Sequence, residues 1–177
     1  MNAPFVLAPT VRLIDLAEPD EAQRIEAFVA AHADGTPFHR PVWLAAVARG
    51  TGNRAMALVA ERGGAICAYL PLNEIHSPLF GRVLASSGFA VGGGLLAVPG
   101  CDTDAVFAAA EELALRLSCP TIELRGGCLP QDRAGWAFRQ DSHCGFVLPL
   151  ADDNEAQLTA IPRKQRAEVR KGLQIAM

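Results

Sequence analysis

Two apolar runs meet at a glycine pair between Arg54 and Asn73, and this stretch most constrains what the chain can fold into. Gly63 and Gly64 both tolerate positive φ, which a two-residue hairpin turn requires. The runs on either side therefore read as two antiparallel strands. Neither run alternates between apolar and polar residues. Both faces of the hairpin should then be covered by other elements.

The rest of the chain supplies candidates for that cover. Val11 to Leu16 reads as a short strand. Pro19-Asp20-Glu21 suits the first turn of a helix, with Ile25, Phe28, Val29 and His32 on one face and Gly35 as its expected C-cap. A second helix is expected from Pro41, carrying Val42, Trp43, Leu44 and Val47 and ending by Gly50 or Gly52. Arg82 to Ser86 and Leu95 to Val98 read as strands separated by Gly88, Gly92, Gly93 and Gly94. Asp102 or Thr103 should cap a helix to about Leu117, with Val106, Phe107, Ala110, Leu113 and Leu117 on one face. Strands follow at Thr121 to Arg125 and Gly145 to Leu150. A short helix is expected from about Glu155, and a basic one from Pro162. Hairpins among helices with one covered sheet imply an α/β or α+β sandwich.

The 177 residues suit one domain with a sizeable core, at 50% hydrophobic and 20% charged residues. No apolar run approaches the ~20 residues of a membrane span, and Met1 to Thr10 lacks the features of a secretory signal. Five cysteines, at 67, 101, 119, 128 and 144, form no C-x-x-C pair. An odd set without that spacing argues against a disulfide framework or zinc site and for a reducing cytoplasm.

Charge is uneven. From Ile161 onward five cations, Arg163, Lys164, Arg166, Arg170 and Lys171, oppose only Glu168, so an acidic body carries a basic tail. On helical spacing Arg163, Arg166 and Arg170 share one side, and Lys164 and Lys171 lie on a neighbouring line. Such a face can clamp an anionic substrate, phosphorylated or nucleotide-linked. It can equally be a solvated helix surface. Interleaved aromatics that would favour nucleic acid are missing from the tail.

Other motifs are weaker. Gly88 to Gly94 lacks the Gly-Lys-Ser/Thr and the following helix of a phosphate loop, so turn or bulge is the expectation. His32, His39, His76 and His143 show no metal spacing. His39, in a loop before a helix, is a candidate general base, with a core hydrogen bond as the alternative. Ser86, Ser87 and Ser142 lack a nucleophile elbow. Glu123 and Arg125 fall on one side of their strand, where they can form a buried pair or a site pair, with a structural role as the default.

Several stretches resemble one family. Thr36-Pro37-Phe38-His39-Arg40-Pro41-Val42-Trp43-Leu44 is similar to its F-H…W segment, and Glu123-Leu124-Arg125 to its E-L-R strand. Leu58 to Gly64 running into Leu70-Pro71-Leu72 is similar to its hairpin. Ile161-Pro162-Arg163-Lys164-Gln165-Arg166-Ala167-Glu168-Val169-Arg170-Lys171-Gly172 is the most specific match. The family is the FemAB-like proteins, in the branch associated with exosortase/PEP-CTERM and exopolysaccharide systems. The resemblance implies two domains similar to GNAT N-acyltransferases and transfer of an acyl or aminoacyl group to an amine. It implies no tightly bound cofactor, only a donor, acyl-CoA or aminoacyl-tRNA, with tRNA as a partner in the second case. The acceptor would be an amine-bearing envelope or exopolysaccharide precursor. Candidate site residues are His39 as base and Trp43, Arg125, Arg163, Lys164, Arg166, Arg170 and Lys171 for substrate.

Two features depart from the family pattern. Ser87-Gly88-Phe89 stands where members often carry Pro-Phe. Members are also about twice as long, so residues 1–160 are expected to be an N-terminal GNAT-like domain. Residues 161–177 are then a basic helix leading towards a second such domain. A non-catalytic binding domain, with the basic helix on an acidic partner or anionic ligand, is the alternative.

Overall fold

A computed structural model describes residues 8–79, 81–130, 133–139 and 145–176. Ser142, His143 and Cys144 lie outside them. The chain divides into two compact units, one to Trp136 and one from Ala137.

The hairpin is the centre of the first unit. Strands β2 (Arg54–Arg62) and β3 (Ala65–Ser77) are antiparallel, and Gly63 and Gly64 turn between them at φ of 59° and 82°. On the outer side of β2 runs β1 (Thr10–Ile14), and on β3 run β4 (Gly81–Ser86) and the two-residue β5 (Leu96–Ala97). A short β6 (Ile122–Glu123) closes the order β1-β2-β3-β4-β6.

The unbroken apolar runs have a simple physical reason. Successive side chains of a strand point to opposite faces, and both faces here are packed. Met56, Leu58 and Ala60 join one cluster with Leu70, Leu72, Leu84, Val106 and Phe107. Ala57 and Val59 join the other, with Tyr69, Ile14, Ile25, Val29 and Leu44. Helix α3 (Asp104–Arg116) covers the first face, and α1 (Pro19–Ala31) and α2 (Pro41–Thr51) cover the second. Each large aliphatic side chain so enclosed contributes about 2 kcal/mol.

Helix ends follow their sequence signals with two exceptions: Thr103 stands at the N-cap of α3 without a side-chain hydrogen bond, and α1 ends early. Gly52 caps α2 at φ 73°, the left-handed conformation glycine allows. Helix α1 stops at Ala31, four residues before Gly35, with His32 extended. Gly35 has another task. It donates its N–H to the His32 carbonyl at 2.9 Å, in a turn so tight that a Cβ would sit 2.2 Å from the Val29 carbonyl oxygen.

The loop after β6 is tied to α3 by charge. Arg133 grips Glu111 with Nε and one terminal nitrogen at 2.7 and 2.8 Å, and Trp136 Nε1 donates to the same carboxylate at 2.7 Å. Arg133 first, then Trp136, hold the Glu111 carboxyl down at about 2. A depressed folded-state pKa stabilises above the unfolded value, near 4.3, and is lost as pH falls towards 2. The side chain is a third exposed, so solvent screening keeps the term below ~1 kcal/mol. Urea midpoints recorded from pH 5 to pH 2 should fall, and Glu111→Gln should flatten part of that fall. An identical slope in the variant would remove Glu111 from the acid response.

In the second unit, α4 (Asn154–Ala160) is capped by Asp153, whose Oδ1 accepts from the Ala156 N–H at 2.8 Å. The basic helix forms as expected, as α5 (Arg163–Ala176). The strand expected over Gly145 to Leu150 does not form. These residues are irregular, and Phe146, Val147, Leu148 and Leu150 are exposed. Their apolar composition suits a strand, but a strand also needs a ladder partner, and among the described residues none stands opposite them.

Candidate functional site

Buried polar side chains are costly unless they are bonded, so where they gather is informative. Among the described residues four are buried: His39, Asn73, Ser86 and Ser87. All four lie around one loop.

That loop begins where the sheet changes character. Strands β4 and β6 run parallel, with Leu84 opposite Ile122 and Ala85 opposite Glu123, while the other strand pairs are antiparallel. Pairing of β4 with β3 ends at Leu72 and Ser86. The chain then leaves the sheet and returns as β5, onto Tyr69 and Ala68 of the same strand. The excursion is backbone-strained. Ser87 and Phe89 sit at φ of 43° and 61°, and Gly92 and Gly93 at 88° and 92°. Left-handed non-glycine residues cost of order 1 kcal/mol each and persist only where neighbours fix them.

The fixings are specific. The Ser87 N–H donates to the Pro71 carbonyl at 3.1 Å, and the Gly88 N–H to Asn73 Oδ1 at 2.8 Å. Ser87 Oγ donates to the Phe38 carbonyl in a short bond. Arg125 donates from its backbone N–H to Ser86 Oγ at 2.8 Å and from its guanidinium to the Ala90 carbonyl at 3.1 Å. Its Nε meets Glu123 Oε1 at 2.8 Å, the pair the strand spacing implied.

His39 closes the far side. It ends a 3-10 turn, Pro37–His39, that Pro37 starts. The Thr36 N–H donates to Nδ1 at 3.1 Å, so Nδ1 carries no proton. Nε2–H then donates to the Gly94 carbonyl at 3.2 Å. The ring is 3% exposed, and burial pushes its pKa below the usual histidine value, the Gly94 carbonyl opposing. Tyr69 donates its hydroxyl to the His39 carbonyl at 2.9 Å. The geometry therefore realises the hydrogen-bonded alternative for this residue, with both ring nitrogens engaged.

Trp43, on α2, packs edge-on against Phe38, with centroids 5.0 Å apart. Its Nε1 and the Nδ2 of Asn73 are buried donors without a hydrogen-bond partner among the described residues. Unpaired buried donors cost roughly 1–3 kcal/mol each, and each would take an oxygen acceptor if one reached it.

Two sequence candidates, His39 and Arg125, thus meet at one loop, and Trp43 packs on Phe38, whose carbonyl that loop bonds. The five basic-tail residues lie in the second unit. Arg166 folds back there, donating to the Thr159 carbonyl at 2.8 Å and the Ile161 carbonyl at 3.0 Å, which neutralises the carbonyl end of α4. Arg170 stands 3.9 Å from Glu155, both exposed. Arg163, Lys164 and Lys171 are exposed and make no ion pair among the described residues. Sequence reading weighed Ser86 and Ser87 only as nucleophiles and missed Asn73. Their signal was available: Asn73 is the first amide or charged residue after the apolar run from Ile66 to Leu72 of β3, and Ser86-Ser87 follows the apolar Val83-Leu84-Ala85 of β4. Both serine hydroxyls are bonded, so neither is a free nucleophile. Among the described residues no three His, Cys, Asp or Glu side chains cluster as metal ligands.

No protein-family model and no curated protein matches the sequence. Solved structures do. Ribosomal-protein-alanine N-acetyltransferase from Brucella melitensis biovar Abortus 2308 superposes with a TM-score of 0.52 at 15% identity, over 81% of this chain and 100% of that one. A GNAT family acetyltransferase of Staphylococcus aureus subsp. aureus USA300_TCH1516 gives 0.47 at 15% identity, over 81% and 100%. An aminoglycoside N-acetyltransferase in complex with CoA gives 0.42 at 11% identity, over 80% and 100%. At these identities the likeness, carried by the first of them, shows the fold. The chain has the GNAT acetyltransferase fold, with a mixed, mostly antiparallel sheet between helices. No helix among the described residues is long and apolar enough to cross a membrane.

Proposed function

We propose that this chain is an acyltransferase domain that passes an acyl group from a thioester donor, acyl-CoA, to an amine. The observation that carries the reading is the convergence of every buried polar side chain among the described residues at the end of the parallel β4–β6 pair, in the GNAT fold. In that reading the amine attacks the acyl carbonyl, the oxyanion is held by N–H donors, and a base takes the amine proton. The thioester supplies an activated carbonyl and a thiolate leaving group. Asn73 Nδ2 and Trp43 Nε1 are donors free to hold an oxygen, which fits such a ligand. Arg125 and His39 hold the loop to which Asn73 is bonded.

Within this reading the finer assignment is a FemAB-like transferase, N-terminal half, with an amine-bearing envelope or exopolysaccharide precursor as acceptor. The stretch Ile161 to Gly172 supports it. Exposed Arg163, Lys164 and Lys171 offer charge for an anionic precursor, or for tRNA if the donor is aminoacyl-tRNA. Arg166 serves the α4 terminus and contributes less.

The test is donor-dependent transfer by the purified chain. Acetyl-CoA and an aminoacyl-tRNA are each offered with a panel of primary amines, with release of CoA thiol or free tRNA as readout. Transfer from acetyl-CoA supports the reading. Failure to bind or turn over either donor would sink it and leave the binding-domain alternative, favoured by the occupied nitrogens of His39. Lys164→Ala with Lys171→Ala then probes the tail. At low salt each loss should weaken binding of an anionic ligand about threefold and flatten its salt dependence. Unchanged affinity would dismiss the clamp.

A further inference from the structure

One pair of side chains stands apart from this site and from everything the fold requires. Strand β5 pairs with β3 at Leu96 opposite Tyr69 and Ala97 opposite Ala68. The ladder continues one step further, with the Val98 N–H donating to the Cys67 carbonyl at 2.9 Å. Pro99 and Gly100 then reverse the chain. The Cys101 N–H donates back to the Val98 carbonyl at 3.1 Å, and Gly100 takes the left-handed φ of 76° that the turn needs. Arg62, at the end of β2, fixes the turn from outside by donating to the Gly100 carbonyl at 2.8 Å. The turn thereby lays Cys101 over Cys67.

The two Sγ atoms lie 2.9 Å apart, against about 2.05 Å in a disulfide. Both are free thiols, Cys67 buried and Cys101 partly accessible. Backbone hydrogen bonds already hold both Cα positions, so closing the bond needs side-chain rotation and little else. Among the described residues Cys128, which is exposed, has no thiol beside it, and Cys119 engages the Leu117 carbonyl. Proximity therefore singles out one pair among the described cysteines.

We propose that Cys67 and Cys101 form a redox-convertible dithiol, which a low-molecular-weight disulfide such as oxidised glutathione closes, pinning the Val98–Cys101 turn to β3. The electrons and protons balance in two exchanges. The accessible Cys101 sulfur, as thiolate, attacks the small disulfide and expels one small thiol, leaving a mixed disulfide. Cys67 sulfur then attacks the Cys101 sulfur and expels the second. Two protein thiols lose two electrons and two protons, and one small disulfide becomes two thiols. Burial, with the Cys67 sulfur next, pushes the Cys101 thiol up to about 12. Arg62 opposes this and Asp102 adds to it, so the first exchange is slow at neutral pH and quickens as pH rises.

The experiment uses the whole 177-residue chain, reduced and then incubated with oxidised glutathione. Denaturing alkylation should find two of the five thiols lost, and tryptic peptides 63–82 and 83–116 joined. The closed loop spans 34 residues, so the melting temperature should rise by roughly 10 °C and return on reduction. Cys101→Ser, at a partly exposed position, should abolish the linkage and the shift while leaving the reduced protein's melting temperature unchanged. Cys67→Ala should abolish them too. Five alkylatable thiols after oxidation, a persistent glutathione adduct, or a linkage through another cysteine would overturn the proposal.

Discussion

Gly94→Ala is expected to destabilise the protein by about 3 kcal/mol or more, a large fraction of a domain's usual stability. A Cβ there would lie 1.7 Å from the Gly126 carbonyl oxygen and 2.5 Å from its carbon. Both are main-chain atoms, so no side-chain rotation relieves the clash. Relief would require residues 94 and 126 to separate. That separation would strain the bond from the Cys128 N–H to the Leu95 carbonyl and the bond from His39 Nε2 to the Gly94 carbonyl. Gly92→Ala is the matched control. Its φ of 88° strains alanine, but nothing lies within 4 Å, so a cost of about 1 kcal/mol is expected. Urea unfolding of both variants separates space from dihedral. Equal costs would mean that residues 94 and 126 do not cross this closely.

That crossing marks the boundary of what the sequence made legible. The hairpin, its turn and the coverage of both its faces followed from Gly63-Gly64 and two runs without alternation. The Glu123–Arg125 pair followed from a period of two. The return of β5 onto β3 did not, because strands of two residues carry almost no pattern and their pairing is decided by distant partners. Gly145 to Leu150 shows the opposite failure. Its composition is strand-like, but register and partner are properties of the assembled sheet rather than of the segment. The site divides in the same way. His39, in a loop before a helix, and Arg125, on a short strand, were visible separately, 86 positions apart. Their meeting at one loop became visible only with the topology. Helical spacing found the cationic face of α5. It could not show that Arg166 turns back to the end of α4, since that bond depends on the angle between two helices.

His39 is where the two readings of the site can be separated most cleanly. Its ring accepts from the Thr36 N–H and donates to the Gly94 carbonyl, and burial lowers its pKa. An unfolded histidine titrates near 6.5. Below that pH the unfolded chain takes up a proton that the buried ring resists. The stabilisation is therefore complete above about pH 6.5 and is lost as pH falls. His39→Ala should cost about 3 kcal/mol, from a cavity plus a buried carbonyl and N–H left unpaired. His39→Asn can keep the acceptor for Thr36, and His39→Gln can keep the donor to Gly94, so each should recover part of that loss. Neither titrates, so in both the fall in stability below pH 6.5 should shrink. Transfer activity, measured where each variant is folded, then discriminates. If His39 only fastens the loop, the Asn and Gln variants keep kcat within a few-fold and its pH profile unchanged. If His39 is the base, kcat collapses in both by a factor of about 100 or more although both melt above His39→Ala. The engaged nitrogens favour the first result. The second would require the Thr36 contacts to Nδ1 to open when substrate binds, because that nitrogen carries the ring's basic lone pair.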